Sequence, residues 1–115
     1  MTSNEVTARR QVVLYHMRLN PKGTVQGKFK LHCLDGSKCA LGLMAEALNI
    51  PTMPEPTGPE LNQEAFSVNT AAYNKLRELL EWNDMRIWGL NDRQDKTFAE
   101  IADILDGPDA DYYDA

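Results

Sequence analysis

The sequence predicts a mainly helical α+β domain, in which four to five short helices surround a central apolar helix beside a small two-stranded β element. Several segments show helical periodicity, residues 39–48 are almost uncharged, and residues 28–34 alternate between apolar and polar. The chain has 115 residues, of which 43% are hydrophobic and 25% charged, as is ordinary for one globular domain. We expect a single compact domain over residues 1–108 and a loosely ordered acidic tail over 109–115.

The first helix is predicted from Asn4 to about Leu19. Thr2 and Glu5 have the spacing of a capping box, in which two side chains cap backbone amides of the first turn. Asn20-Pro21-Lys22-Gly23 then ends the helix. The apolar residues that recur at helical spacing, and should therefore face the core, are Val6, Val13, Leu14 and Met17.

The central helix is predicted from Lys38 to about Asn49, after a turn at Asp35-Gly36, with Ser37 as its N-cap. Glu46 is the only charged residue between positions 39 and 48, so this helix should be buried nearly all round. Gly42 inside it indicates close packing against another part of the chain.

Three more helical segments follow a proline-rich stretch, residues 50–60, that we interpret as an extended surface loop. The first helix should begin at Asn69 or Thr70 and run toward Trp82. A short buried piece is expected from Met85 to Leu90. Thr97 and Glu100 form a second capping-box pattern, which predicts the last helix, ending at Gly107-Pro108.

The β element is predicted from the alternation in residues 28–34, with Phe29, Leu31 and Cys33 on one side and Lys28, Lys30 and His32 on the other. Such a strand needs a partner, which could be residues 24–26, residues 65–68 or a second copy of the chain. For this reason, and because two helices carry surplus apolar surface, we predict a homo-oligomer.

The charge is distributed unevenly. Residues 1–38 hold seven basic and two acidic residues, a net charge of +5, whereas residues 39–115 hold five and fifteen, a net charge of −10. Packing of the two halves on each other accounts for this most simply; a basic face that attracts anions is the alternative. The candidate anion-binding residues, which could hold the phosphates of a small nucleotide, are Lys28, Lys30, His32 and Lys38.

The sequence contains no pattern typical of an enzyme or of a cofactor site. Glycine-rich phosphate loops and the GxSxG motif are absent, and Cys39, although near a helix start, is better interpreted as a packing residue than as a nucleophile. The spacing of His16, His32, Cys33 and Cys39 does not match a metal site. The sequence thus predicts a protein with no catalytic residues, metal or cofactor.

Binding to other macromolecules is therefore the expected activity. An acidic total charge and the lack of aromatics between the lysines argue against nucleic acid, and no segment is apolar enough for a membrane span. These features favour a cytoplasmic protein. Aromatic and acidic residues give the candidate protein-interface positions, which are Trp82, Trp88, Asp109 and Asp111.

Two segments carry a resemblance to a known group of proteins. Cys39-Ala40-Leu41-Gly42, and later Leu90-Asn91-Asp92 leading into residues 97–105, resemble small uncharacterised proteins of actinobacterial phages and prophages. The resemblance implies a compact helical unit and transfers no catalytic residue. It implies an accessory protein that acts by binding in the cytoplasm of the infected or lysogenic host.

Two functions follow from the resemblance. The first is a modulator or inhibitor of a host or defence protein. The alternative is an oligomeric sponge for a signalling nucleotide; a small enzyme and a DNA-binding regulator rank below both.

Overall fold

Five α-helices and one π-helical turn make up the fold in the computed structural model, which describes residues 3–55, 69–108 and 110. A mainly helical architecture is therefore confirmed. In chain order the helices are α1 (Ser3–Leu19), α2 (Ala40–Ala47), α3 (Thr70–Leu80), α4 (Asp84–Trp88) and α5 (Phe98–Leu105), with the π-helical turn Gly89–Arg93 directly after α4.

Helix α2 lies at the centre of the fold, as its composition predicts. It packs against α1, α3 and α4. Leu41 is 3% exposed, and Leu43 and Met44 are fully buried. The helix begins later than predicted, at Ala40, with Cys39 as the N-cap residue. Ser37 does not cap it, because its hydroxyl and amide both bond to the Asp35 carboxylate in the preceding turn.

Helix α1 packs with one face on α2, α3 and α5. All four residues predicted to face the core are buried, namely Val6, Val13, Leu14 and Met17. On the same helix, Arg10 donates hydrogen bonds to the carbonyls of Leu80 (2.8 Å) and Glu81 (3.1 Å). These are carbonyls at the end of α3, where backbone acceptors have no partner within the helix. The proposed cap of α1 includes Thr2, which lies outside the described residues.

The predicted strand over residues 28–34 is wrong: in the described part of the chain there are no strands, and this segment bends. Phe29 has a φ of +71°, which reverses the alternation of side chains, so that Lys30 is buried together with Leu31 and Cys33. Two isolated parallel bridges, Gln26 with Lys38 and Cys33 with Glu55, replace the expected ladder. The alternative strand partner, residues 65–68, lies outside the described residues.

The helices after residue 68 begin near the predicted positions. Asn69 precedes α3, but its amide bonds to the backbone of Met53 rather than capping the helix. Asn83 caps α4 by accepting a hydrogen bond from the Met85 amide. The capping box of Thr97 and Glu100 at the start of α5 is confirmed in both directions.

Gly42 gives a direct test of this packing. A Cβ at position 42 would overlap the carbonyl oxygen of Leu31, which belongs to the backbone and cannot swing aside. We expect Gly42→Ala to lower the free energy of unfolding by about 3 kcal/mol, as measured by urea denaturation. Gly107→Ala is the control, because its Cβ would meet its nearest atom at 3.5 Å. Equal losses in the two variants would contradict the close approach of α2 to Leu31.

Candidate functional site

The residues predicted to bind anions do not form one basic face. Lys28 pairs with Asp95, a residue of the segment before α5. Lys38 lies half-buried with its Nζ 3.2 Å from the Oε1 of Glu46 on α2. Each of these two lysines is therefore paired with a carboxylate. The partner of Lys28 lies far along the chain, and the partner of Lys38 lies on helix α2.

The other two members are less accessible. Lys30 is 6% exposed and lies near the buried carboxyl of Glu55: burial raises the pKa of Glu55, and the charge of Lys30 partly opposes that increase. His32 is half-buried, with its Nδ1 3.1 Å from the Thr52 hydroxyl. The prediction that Lys30 projects outward beside Lys28 is wrong, because the bend at Phe29 removes the regular alternation and buries Lys30.

The tryptophans proposed for an interface belong mainly to the interior. Trp82 is 6% exposed. The Arg10 guanidinium lies over its ring, and the distance from the Arg10 Cζ to the ring centroid is 5.0 Å. Trp88 is half-buried and packs against the core. Asp109 and Asp111 lie outside the described residues, so their assignment stays a prediction.

The chemistry of the two thiols fits packing better than catalysis. Cys33 and Cys39 are both free and buried. Burial raises the pKa of the Cys39 thiol to about 12, so the reactive thiolate is scarce at neutral pH. Across residues 3–55, 69–108 and 110, no group of three or more His, Cys, Asp or Glu side chains is arranged to hold a metal ion.

Two side-chain amides, the half-buried Gln26 and the buried Asn91, form what we call the amide junction. The Oδ1 of Asn91 accepts hydrogen bonds from the Gln26 Nε2 (2.8 Å) and from the Ala40 amide (3.0 Å). Its Nδ2 donates to the Gly27 carbonyl (2.9 Å) and to the Asp92 carboxylate (2.7 Å). All four hydrogen-bonding positions of the Asn91 amide are thereby occupied.

Gln26 extends the junction to the last helix. Its Nε2 also donates to the Lys96 carbonyl (2.7 Å), and its Oε1 accepts from the Phe98 amide (3.1 Å) at the start of α5. A cleft of about 200 Å³ opens beside it, lined by Gln26, Gly27, Lys28, Asn91, Asp95 and Lys96. Because internal contacts already occupy the amides, the junction serves as structure rather than as a ligand site.

Replacing a single atom of the amide junction should strongly destabilise the protein. In Asn91→Asp, a carboxylate oxygen replaces the donor that faces the Gly27 carbonyl and the Asp92 carboxylate, so two attractions become repulsions. We expect the free energy of unfolding to fall by about 3 kcal/mol. Urea denaturation at pH 7 measures it. Asn74→Asp, on the exposed side of α3, is the matched control; a loss of the same size there would contradict the special role of Asn91.

A second polar cluster joins α1 to α2 around the Glu46 carboxylate, whose side chain is 5% exposed. The Oε2 of Glu46 lies 2.6 Å from the His16 Nε2, and its Oε1 accepts from the Thr24 hydroxyl at 2.9 Å and from the Lys38 Nζ at 3.2 Å. Burial alone would raise the pKa of Glu46, but these three hydrogen bonds together hold it below its ordinary value.

This lowered pKa makes stability depend on pH in a definite direction. The contribution of ionised Glu46 is complete above the ordinary carboxyl pKa of 4.5 and is lost as the pH falls through the lower pKa of the folded state. Glu46→Gln should therefore flatten the loss of stability below about pH 4.5. It should also lower the free energy of unfolding at pH 7 by about 1–3 kcal/mol.

Denaturation curves between pH 3 and 7 provide the measurement. Glu78→Gln, on the exposed side of α3, is the control and should retain the steep wild-type decline. Parallel pH profiles for wild type and Glu46→Gln would contradict the assignment.

The outer face of α1 carries a row of exposed apolar residues, which we call the outer stripe: Ala8, Val12, Tyr15 and Leu19. Val12 is 51% exposed, Tyr15 68% and Leu19 57%. Their successive spacings of four, three and four residues confine them to about 60° of the helix circumference, roughly opposite the buried face. Apolar residues at this spacing on an exposed helix are typical of a surface that another helix covers.

The outer stripe is not among the sequence predictions, because the only apolar residues of α1 that they assign to a face are those of the core. The signal was nevertheless present, since Val12, Tyr15 and Leu19 repeat with helical spacing. Arg18 beside the stripe is held by Asp103 (2.8 Å) and Asp106 (3.2 Å) of the last helix and its C-cap.

Comparisons with known proteins find no match: no family model, curated protein or solved structure is significantly similar to this chain. Among the helices described here, none has both the length and the apolar character that crossing a lipid bilayer requires.

Proposed function

We propose that this protein acts by binding another protein chain, and that the outer stripe of α1 is the binding surface. One observation carries the proposal: Val12, Tyr15 and Leu19 are each more than half exposed and align on one helix face. Leaving such apolar area in water is unfavourable by roughly 25 cal/mol per Å², which a covering partner would recover.

The polar features of the molecule support binding over turnover. Lys28 and Lys38 are paired with carboxylates, Lys30 is buried, and the Asn91 amide is saturated. Cys39 is fully buried. A nucleotide sponge, the alternative function considered from the sequence, therefore has no open cluster of cations to support it among the four residues named for it.

The biological setting is part of the same proposal. Following the resemblance to actinobacterial phage and prophage proteins, we place this binding in the cytoplasm of a bacterial host, where the partner could belong to the host or to its defence system. Two free cysteines fit a reducing compartment.

Photo-crosslinking tests the proposed surface. The photo-reactive residue benzoylphenylalanine replaces Tyr15 in protein expressed in an actinobacterial host. In the control protein the same probe replaces Glu78, which is exposed on α3. We expect a defined protein adduct from position 15 and none from position 78. Adding Leu19→Lys should lower the yield of the adduct at least tenfold. Mass spectrometry identifies the captured chain. Absence of an adduct at position 15, or equal adducts at both positions, would contradict the proposal.

A further inference from the structure

We infer that the occupant of the outer stripe is a second copy of this chain, whose α1 lies antiparallel to the first. This inference rests on the proposed function, because it names the partner of the same surface. It is carried by the order of the side chains along the stripe, which is self-complementary only when one helix is reversed.

The register follows from the spacing. Val12 and Leu19 occupy the a positions of a heptad, and Ala8 and Tyr15 occupy the d positions. A twofold axis between Val13 and Leu14 brings together residues whose numbers sum to 27. Val12 then faces Tyr15 of the second copy, and Ala8 faces Leu19 of the second copy.

Side-chain size favours this arrangement over a parallel one. Each antiparallel layer combines a smaller with a larger residue, Ala with Leu and Val with Tyr, so that the layers differ less in volume than those of a parallel pair. A parallel pair would set Ala8 against Ala8 and Tyr15 against Tyr15, leaving a gap in one layer and crowding in another. Even packing of a helix interface requires layers of matched volume.

The charge near the start of α1 points the same way. Glu5 lies one heptad before Val12 and pairs with Arg9 of its own helix, 3.8 Å away. A parallel pair would place Glu5 against Glu5, which is repulsive, whereas the antiparallel pair keeps the two carboxylates at opposite ends.

The flanks of the stripe are compatible with self-association. In the antiparallel register Gln11 lies beside Arg18 of the second copy, whose charge Asp103 and Asp106 already balance. Arg9 lies beside His16 of the second copy, whose ring contacts Glu46. No acidic residue of the helix faces another acidic residue.

The size of the stripe sets the expected strength. Three helical turns per copy cover less than the roughly 800 Å² per partner of a standard interface. We therefore expect a weak dimer with a dissociation constant on the order of 10 μM.

Sedimentation equilibrium from about 1 to 500 μM tests self-association. The wild-type chain should pass from 13.0 kDa toward twice that mass. Leu19→Lys should weaken the dimer at least tenfold, whereas Met85→Lys, which changes an exposed apolar residue on α4, should leave it unchanged.

Disulfide trapping tests the direction of the helices. Because Cys33 and Cys39 are buried, they should contribute little background. A mixture of Ala8→Cys and Leu19→Cys proteins should form predominantly the mixed disulfide; a predominance of the Ala8→Cys homodimer would overturn the antiparallel arrangement.

The outcomes separate this inference from the function on which it rests. A wild-type chain that stays at 13.0 kDa up to 500 μM overturns self-association. If the probe at position 15 still captures a different protein, the proposed binding surface stands while the second copy is rejected. If neither a dimer nor an adduct forms, both proposals fail.

Discussion

The arrangement of the helices depends on the hydrogen bonds of the Asn91 side-chain amide. It accepts a hydrogen bond from the Ala40 amide, 51 residues away, at the start of the central helix. Cys39, the local N-cap residue of α2, provides no side-chain cap. Through Gln26 the same junction also satisfies the first amide of α5. Each of these two helix starts therefore receives one hydrogen bond from a distant part of the chain, which at α5 adds to the local capping box, and both are complete only when the whole domain assembles.

The backbone around Asn91 explains how one residue reaches so many partners. It lies in the π-helical turn Gly89–Arg93, where an i→i+5 bond joins the Gln94 amide to the Gly89 carbonyl. Such turns are uncommon and frequently mark functional or strained positions. Here the turn brings Asn91, at 2% exposure, into contact with the loop that carries Gln26 and Gly27. The π-helical turn therefore places Asn91 where its side chain can form the amide junction.

Local signals predicted the features that local physics determines. The capping box at Thr97, the buried face of α1 and the enclosure of α2 all follow from spacing and composition, and the structure confirms them. The prediction for residues 28–34 was wrong because alternation does not specify the positive φ at Phe29. Lys28 and Lys38 were chosen by charge, but their carboxylate partners, Asp95 and Glu46, could be identified only once the chain was folded.

The position of the outer stripe depends on the polar contacts of α1 as well as on its apolar core. Arg10 bonds to the end of α3, His16 to Glu46 on α2, and Arg18 to Asp103 on α5. Because these contacts reach three different helices, rotation of α1 about its axis would break several of them at once. The buried face could not exchange with the exposed one, so the stripe stays directed outward. Because α1 is apolar on two opposite faces and fixed in rotation, its second face stays exposed, and this is the face that we propose a partner covers.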